Sequence, residues 1–505
     1  MAAAGLVSLW LFAGSWSAAP AVARSGKWNQ LQRQLTGRLV WPDDANYVRL
    51  AQPRNLRYAA LMPKAVALCE SVDDVVASVR WARDTGTPFS IRGGGHNYTS
   101  GSSSAGLVIS TRRMTRARLT GSTLRAQAGA RNRHLSALLP SSREYYLLPG
   151  GNCPNVGVTG LTLGGGIGPN ATWAGLTADH LREVTMVTAV GAVVTASAKV
   201  NPDLFWGLRG GAGGNFGVVT DLTYDLVEVP VTRATTFQLE FRGVDDVGRA
   251  GRAWQSARRL GGRLISGSWF VFRTTDDVAC RVRGQVLMGE TDAEDVLAPL
   301  MSIGPRSSDV NTRAWWDAYL WYRTPVSPNN TFWDRSLYAE EDLPGDTFDE
   351  IARHVSEFPL PGRAFGGFQL LGWVGGRVND VPPSATAYVH RSARWILEAM
   401  SGWGNPTDPS IWPTPVPPEI RDWVEALWDT LRPLSNGHSY QNFPDPGLKD
   451  WARAYYGSNL DRLMRVKATW DPDDVFTYPQ GIPLPPGSPT SSAGSGSGVL
   501  DGGRF

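Results

Sequence analysis

Cysteine is nearly absent: Cys69, Cys153 and Cys280 are the whole complement of a 505-residue chain. So few thiols exclude a disulfide framework, and an odd number leaves at least one without an intramolecular partner. Lysine is almost as scarce, at Lys27, Lys64, Lys199, Lys449 and Lys467, so the positive charge is dispersed arginine. With a net charge of +3 and no basic cluster, a nucleic-acid partner is not expected. His96, His134, His180, His354, His390 and His438 are scattered, without the short paired spacing of a zinc site, and no metal is expected. Beyond the N-terminus no apolar run is long enough for a membrane span. Internal repeats are lacking too.

What is abundant is glycine, 56 residues, and tryptophan, 21. The N-terminus, "MAAAGLVSLWLFAGSWSAAPAVARSGKW", reads as a secretory signal over 1–23, cut after Ala-Val-Ala. It lacks the usual Lys or Arg ahead of the apolar run, so retention as an anchor stays open beside export. Residues 24–54 read as a lead-in, and 483–505, rich in Pro, Gly and Ser, as a disordered tail. Between them, "SVDDVVASVRWARDTG" has helical spacing and stops at Gly86, while "PFSIRG" and "AGLVIS" are short strands. "REVTMVTAVGAVVTAS" reads as two strands joined at Val190-Gly191. "DLFWGLRGGAGGNFGVVTDLTYDLVEV" reads as a short helix, a glycine turn and a long strand. "DWARAYYGSNLDRLMRVKATWD" reads as one strong helix.

Two glycine-rich loops carry the chemistry. "IRGGGHNYTSGSSSAGLVIS" spends three glycines before His96; "LLPGGNCPNVGVTGLTLGGGIG" surrounds Cys153. Glycine lets a backbone approach a ligand, and successive N–H groups form an anion nest. The first loop leads into a strand rather than a helix, against a Rossmann fingerprint, and no Gly-Lys-Ser/Thr follows for a Walker loop. The aromatics of "TRAWWDAYLWYRTP" suit either sugar stacking or one amphipathic core helix. Gln369, in the strand "AFGGFQLLGW", is expected to point into the site.

Taken in order, these loops with "GLTADHLREVTMVTAVG", "DLFWGLRGGAGGNFGVVT" and "YQNFPDP…YYGSNLDRLMRVKATWDPDDVFTYPQGIP" resemble the berberine-bridge-enzyme-like oxidases of the vanillyl-alcohol-oxidase superfamily. The resemblance spans roughly 55 to 482. It implies an α+β fold of two domains. An FAD domain comes from 55–228 and 436–482, and a substrate domain, an antiparallel sheet backed by helices, from 229–435. It implies FAD bonded covalently through His96 to the 8α-methyl group and through Cys153 to C6. Arg92, Gly93, Gly94, Gly95, Asn97 and Ser102 are then expected along the pyrophosphate. Gly157, Gly160, Gly164, Gly165, Gly166, Asp179, Val219 and Tyr478 complete the flavin contacts.

The family's base is a tyrosine in Tyr-x-Asn-Tyr; here Tyr440 and Asn442 are kept and Phe443 replaces the last tyrosine. A second tyrosine of some members is Ile167, which leaves the base open, with Asp445 or Asp317 as substitutes. Val156, where oxidases carry Val, implies an O2 pocket and peroxide release. An acceptor-linked dehydrogenase and a flavoprotein that binds carbohydrate without turnover are the alternatives. The expected partners are O2 and a small substrate, a sugar, an alcohol or a secondary metabolite, and the enzyme is expected to be a monomer.

Overall fold

The computed structural model describes residues 26–141, 145–287, 290–325, 328–404 and 415–488. The expected signal segment and residues 489–505 of the expected tail lie outside the described residues. Among those described, no helix is long and apolar enough to cross a membrane.

The first domain opens with a four-stranded sheet. Its strands are β1 (Arg38–Val40), β2 (Ala65–Leu68), β3 (Phe89–Arg92) and β4 (Leu107–Ser110), in the order β1-β2-β4-β3. Between β2 and β3 runs the helix Val72–Thr85, which buries Val75, Val79 and Ala82 on one face. Ser71 Oγ accepts from Asp74 N at its start, and Gly86, at φ +63°, ends it. The lead-in belongs to this domain, a correction to a boundary at 55. Strand β1 pairs antiparallel with β2, and Trp28 and Leu31 share a core with Val75 and Trp81. An unpaired β2 edge and an uncovered helix face require both.

A second sheet follows, antiparallel throughout. It comprises β5 (Ala117–Thr120), β6 (Thr123–Gln127), β8 (Leu181–Val187), β9 (Val193–Ser197) and β10 (Val218–Asp225), ordered β5-β6-β10-β8-β9. A two-stranded ribbon of β7 (Tyr146–Leu147) and β11 (Val227–Glu228) leads out of it.

The second domain is an eight-stranded antiparallel sheet. Its strands are β12 (Arg233–Arg242), β13 (Ile265–Arg273), β14 (Val278–Val286), β15 (Ser307–Ala314), β16 (Thr331–Phe332), β17 (Arg335–Ala339), β18 (Phe365–Leu371) and β19 (Trp395–Trp403). The order is β15-β12-β14-β13-β18-β19-β16, with β17 also on β19. Helices including Val244–Gly261, Thr347–Ser356 and Pro418–Leu431 pack on one face. Side chains alternate across a strand. Phe368, Leu370, Leu397 and Ala399 therefore enter that core, while Gln369, Leu371, Glu398 and Met400 face the first domain across a cavity.

The chain then returns to the first domain. The segment expected as one helix is two, Trp451–Tyr456 and Leu460–Trp470, broken at Gly457 with φ +46°. The break lets Tyr455 and Tyr456 join the core that Leu463 and Val466 complete. "TRAWWDAYLWYRTP" contains the amphipathic helix Trp315–Trp321, with Trp315 and Ala318 fully buried. Its aromatic residues stay off the cavity wall, so the stacking platform is not there.

Candidate active site

A cavity of about 690 Å³ runs between the two domains, and both glycine loops line it. The loops meet backbone to backbone: a Cβ on Gly94 would lie 2.2 Å from Gly157 N, and one on Gly157 would lie 2.5 Å from Gly94 N. Only glycine permits that approach, which brings the His96 loop and the Cys153 loop to one wall.

His96 lines the cavity with no hydrogen-bond partner on its ring among the described residues. Burial, reinforced by the charges of Arg54 and Arg131, pushes its pKa down to about 3. The imidazole is therefore neutral at physiological pH, with a free lone pair. Cys153 is half-buried on the same cavity, and its sulfur accepts from Thr324 Oγ1 of the second domain at 3.4 Å. Asn132 Nδ2 donates to the Cys153 carbonyl at 3.0 Å and fixes the turn. Gly93, Gly94, Gly95, Asn97, Ser102, Val156, Gly157, Gly160, Val219 and Tyr478 also line the cavity.

Other expected contacts are turned elsewhere. The Arg92 side chain donates to the carbonyls of Leu50, Ala51 and Ser102 and to Ser103 Oγ, so it anchors the loop from behind rather than facing a phosphate. Asp179 accepts both Nη atoms of Arg391, at 3.0 and 2.7 Å, and caps Leu176 N; it is off the cavity wall. Gly164, Gly165 and Gly166 are off the wall too. They make room for Asn442, Tyr388 and Thr177, each of which a Cβ would strike.

That glycine turn serves Tyr440. With Gly165 and Gly166 at φ +108° and +82°, the N–H groups of Gly166 and Ile167 point at Tyr440 Oη, at 3.3 and 3.4 Å. Asn442 Nδ2 is a third donor, at 3.1 Å. Burial pushes the phenol up to about 12, outweighing these donors, and no cation stands among the causes. Phe443, in place of a second tyrosine, stacks on Tyr98 at 5.0 Å. Of the substitute bases, Asp445 is tied up by Arg335 Nε, Trp333 Nε1 and Gly447 N, and Asp317 is exposed; neither lines the cavity.

Gln369 lines the cavity directly opposite Glu398 in the β18–β19 register. Sequence reasoning passed over Glu398, Tyr98, Trp373 and Thr324, all on the wall. A lone acid alternating with Leu397 and Ala399 in "RWILEAMSGW" was the one visible signal.

Residues 63–197 match the family described as the FAD binding domain, and residues 439–483 the family described as berberine and berberine like. The FAD-linked oxidoreductase YgaK of Bacillus subtilis is 34% identical over 89% of this chain and 97% of its own. The chain belongs to the berberine-bridge-enzyme-like FAD-linked oxidoreductases. A xylooligosaccharide oxidase of Thermothelomyces thermophilus is 29% identical over 83% of this chain and 87% of its own. A solved chitooligosaccharide oxidase superposes with a TM-score of 0.78 at 28% identity, covering 90% of this chain and 99% of that one. The enzyme's cavity fits a flavin on its own terms. A Cβ on Gly160, which lines it, would meet no protein atom within 4 Å, so that face is left to an occupant.

Proposed function

We propose that this FAD-linked oxidoreductase is an exported oxidase of sugar-type alcohols or hemiacetals that holds its flavin through His96 and Cys153 and uses O2 as acceptor. One observation carries the reading: a single cavity joins the His96 and Cys153 loops to Tyr440 and Gln369. The oligosaccharide oxidases among similar proteins support a hemiacetal as the reacting group. A flavin bound there would supply a two-electron acceptor for the substrate's carbon-bound hydride, with O2 as final oxidant and H2O2 as its product.

The rest is the protein's work. The neutral His96 imidazole and the Cys153 sulfur are the attachment points. For Tyr440 to take the hydroxyl proton as the C–H bond breaks it must act as its phenolate, a form that the three N–H donors on its oxygen favour against the burial that raises the phenol to about 12. Gln369 and Asn442 orient the sugar, and the small side chain of Val156 on the cavity wall leaves room for O2. The test is peroxide release from purified protein across xylo-, cello- and chitooligosaccharides and aromatic alcohols. Peroxide equimolar with oxidised sugar is the expected result. Turnover only with an added dye assigns a dehydrogenase instead, and no turnover with any sugar overturns the reading.

A further inference from the structure

Folding gathers arginines that the sequence spreads from position 49 to position 133. Just after β4 the chain turns, Met114 N donating to the Thr111 carbonyl at 2.8 Å, and the turn carries Arg112 and Arg113. Gly129 N donates to the Met114 carbonyl at 2.8 Å, and a Cβ on Gly129 would lie 2.1 Å from the Thr111 carbonyl oxygen. The turn is therefore pressed against the segment that leads to Arg131. Arg133 follows, its N–H donating to the Pro154 carbonyl at 2.9 Å and its Nη1 bonded to Asn155 Oδ1. Arg49 comes from the helix Tyr47–Ala51, whose Leu50 and Ala51 carbonyls hold Arg92, and Thr111 N donates to the Arg92 carbonyl.

These arginines have no counter-charge. Among the described residues Arg49, Arg112, Arg113, Arg131 and Arg133 make no salt bridge, and no carboxylate is among the charges acting on Arg112 or Arg131. Arg131 is only 8% exposed, and its guanidinium has no hydrogen-bond partner among the described residues. Burial, then the charges of Arg112 and Arg133, pulls it down to about 10; burial, then Arg49, Arg133 and Arg113, lowers Arg112. A buried cation without acceptor or counter-charge is costly, and like charges beside it add to the cost. An anion among them removes both costs, and the guanidinium fork suits the paired oxygens of an oxyanion. Several cations meet there, so a doubly charged group balances them better than one carboxylate. The flavin does not occupy this place: Thr111 and Ala128 line its cavity, but none of the five arginines does.

We propose that Arg112, Arg131 and Arg133, with Arg49 and Arg113 at the rim, form a site for a doubly charged oxyanion, a sulfate or phosphate group either free or esterified to a saccharide. The site is built on the junction of the two flavin loops. Arg131 bridges to Gly157, which touches Gly94, and Asn132 Nδ2 donates to the carbonyls of Gly151 and Cys153. An anion bound there ties the turn after β4 to the Cys153 loop and stabilises the folded protein. This holds whether or not the oxidase reading does.

The test titrates sodium sulfate, glucose 6-sulfate, glucose 6-phosphate and glucose into the flavin-loaded enzyme by calorimetry, with chloride holding ionic strength constant. Sulfate and both esters should bind saturably and raise Tm. Arg131→Gln and Arg112→Gln should each weaken that binding roughly 10- to 100-fold, the weight of one charged hydrogen bond. Arg112 is only half-buried, so its variant reads the site even where Arg131→Gln disturbs packing. Arg249→Gln, at an exposed arginine of the second domain, should change nothing, and neither arginine variant should alter glucose binding. Equal affinity for sulfate and glucose 6-sulfate supports a site for the free anion, and tighter binding of the esters supports one for a glycan-borne group. No saturable binding beyond that of chloride, or binding untouched by Arg112→Gln and Arg131→Gln, overturns the site. Flavin absorbance lost from both variants assigns these arginines to the cofactor and overturns it too.

Discussion

His96 and Cys153 lie on different loops 57 positions apart, and the Gly94–Gly157 contact brings both to one wall. If both bond the flavin, acid-denatured protein keeps its yellow colour in the pellet. His96→Ala and Cys153→Ala each keep it through the other residue, and only the double variant releases flavin to the supernatant. Absorbance of the two fractions reads this directly. For Tyr440, replacement by Phe keeps the ring and removes the proton acceptor, while leaving the Gly166 and Ile167 N–H groups without their acceptor. Tyr440→Phe should slow anaerobic flavin reduction by substrate about 10²–10⁴-fold while leaving reoxidation by air unchanged, as stopped-flow absorbance measures. The loop residues were legible because glycine runs beside a lone His or Cys have few other uses. The Arg92 and Asp179 side chains turn away from the cavity for a physical reason: a motif fixes where a backbone runs, not which way a long side chain turns.

At the scale of elements, apolar periodicity was sufficient for Val72–Thr85, where spacing, cap and terminal glycine agree. It failed over 450–471, because the periodic pattern runs through Gly457 while the backbone does not. There φ is +46° and ψ is −127°, a conformation open in practice only to glycine. Gly457→Ala should therefore destabilise the fold by about 1–3 kcal/mol, read from urea unfolding of the flavin-loaded protein. A helix continuous through 457 would make the same change neutral or stabilising. Strand β19 gives the opposite lesson: its alternation is plain, yet which face meets a core and which a cavity depends on the helices laid against it.

Over the whole molecule, buried imidazoles link stability to pH. His390 is 1% exposed, stacked on Tyr338 at 4.3 Å, and burial followed by the charge of His438 drives its pKa well below 6.5. Its unfolded form binds a proton near 6.5 that the folded form refuses, so stability is lost as pH falls below that value. Asp334 and Glu398, raised in the fold, act in the opposite sense between about 4 and 7, because the folded state holds protons there that the unfolded chain gives up. Replacing His390 by Gln, which can still meet Gln441, should flatten the fall of Tm between pH 6.5 and 5. An unchanged slope assigns the acid sensitivity to other groups.

By itself the sequence determined the α+β fold and the FAD-linked oxidoreductase family, because glycine runs, strand periodicity and an ordered set of motifs are local properties of the chain. Only the tertiary structure decided that the lead-in completes the first sheet, and that Arg92 anchors a loop. It alone decided, too, that Tyr440 sits under three N–H groups and that Glu398 faces the cavity with an unpartnered oxygen. Each of these depends on what a residue distant in sequence supplies: a strand edge, a carbonyl, a turned amide or a second carboxyl. Burial and charge at a point in space are sums over such neighbours.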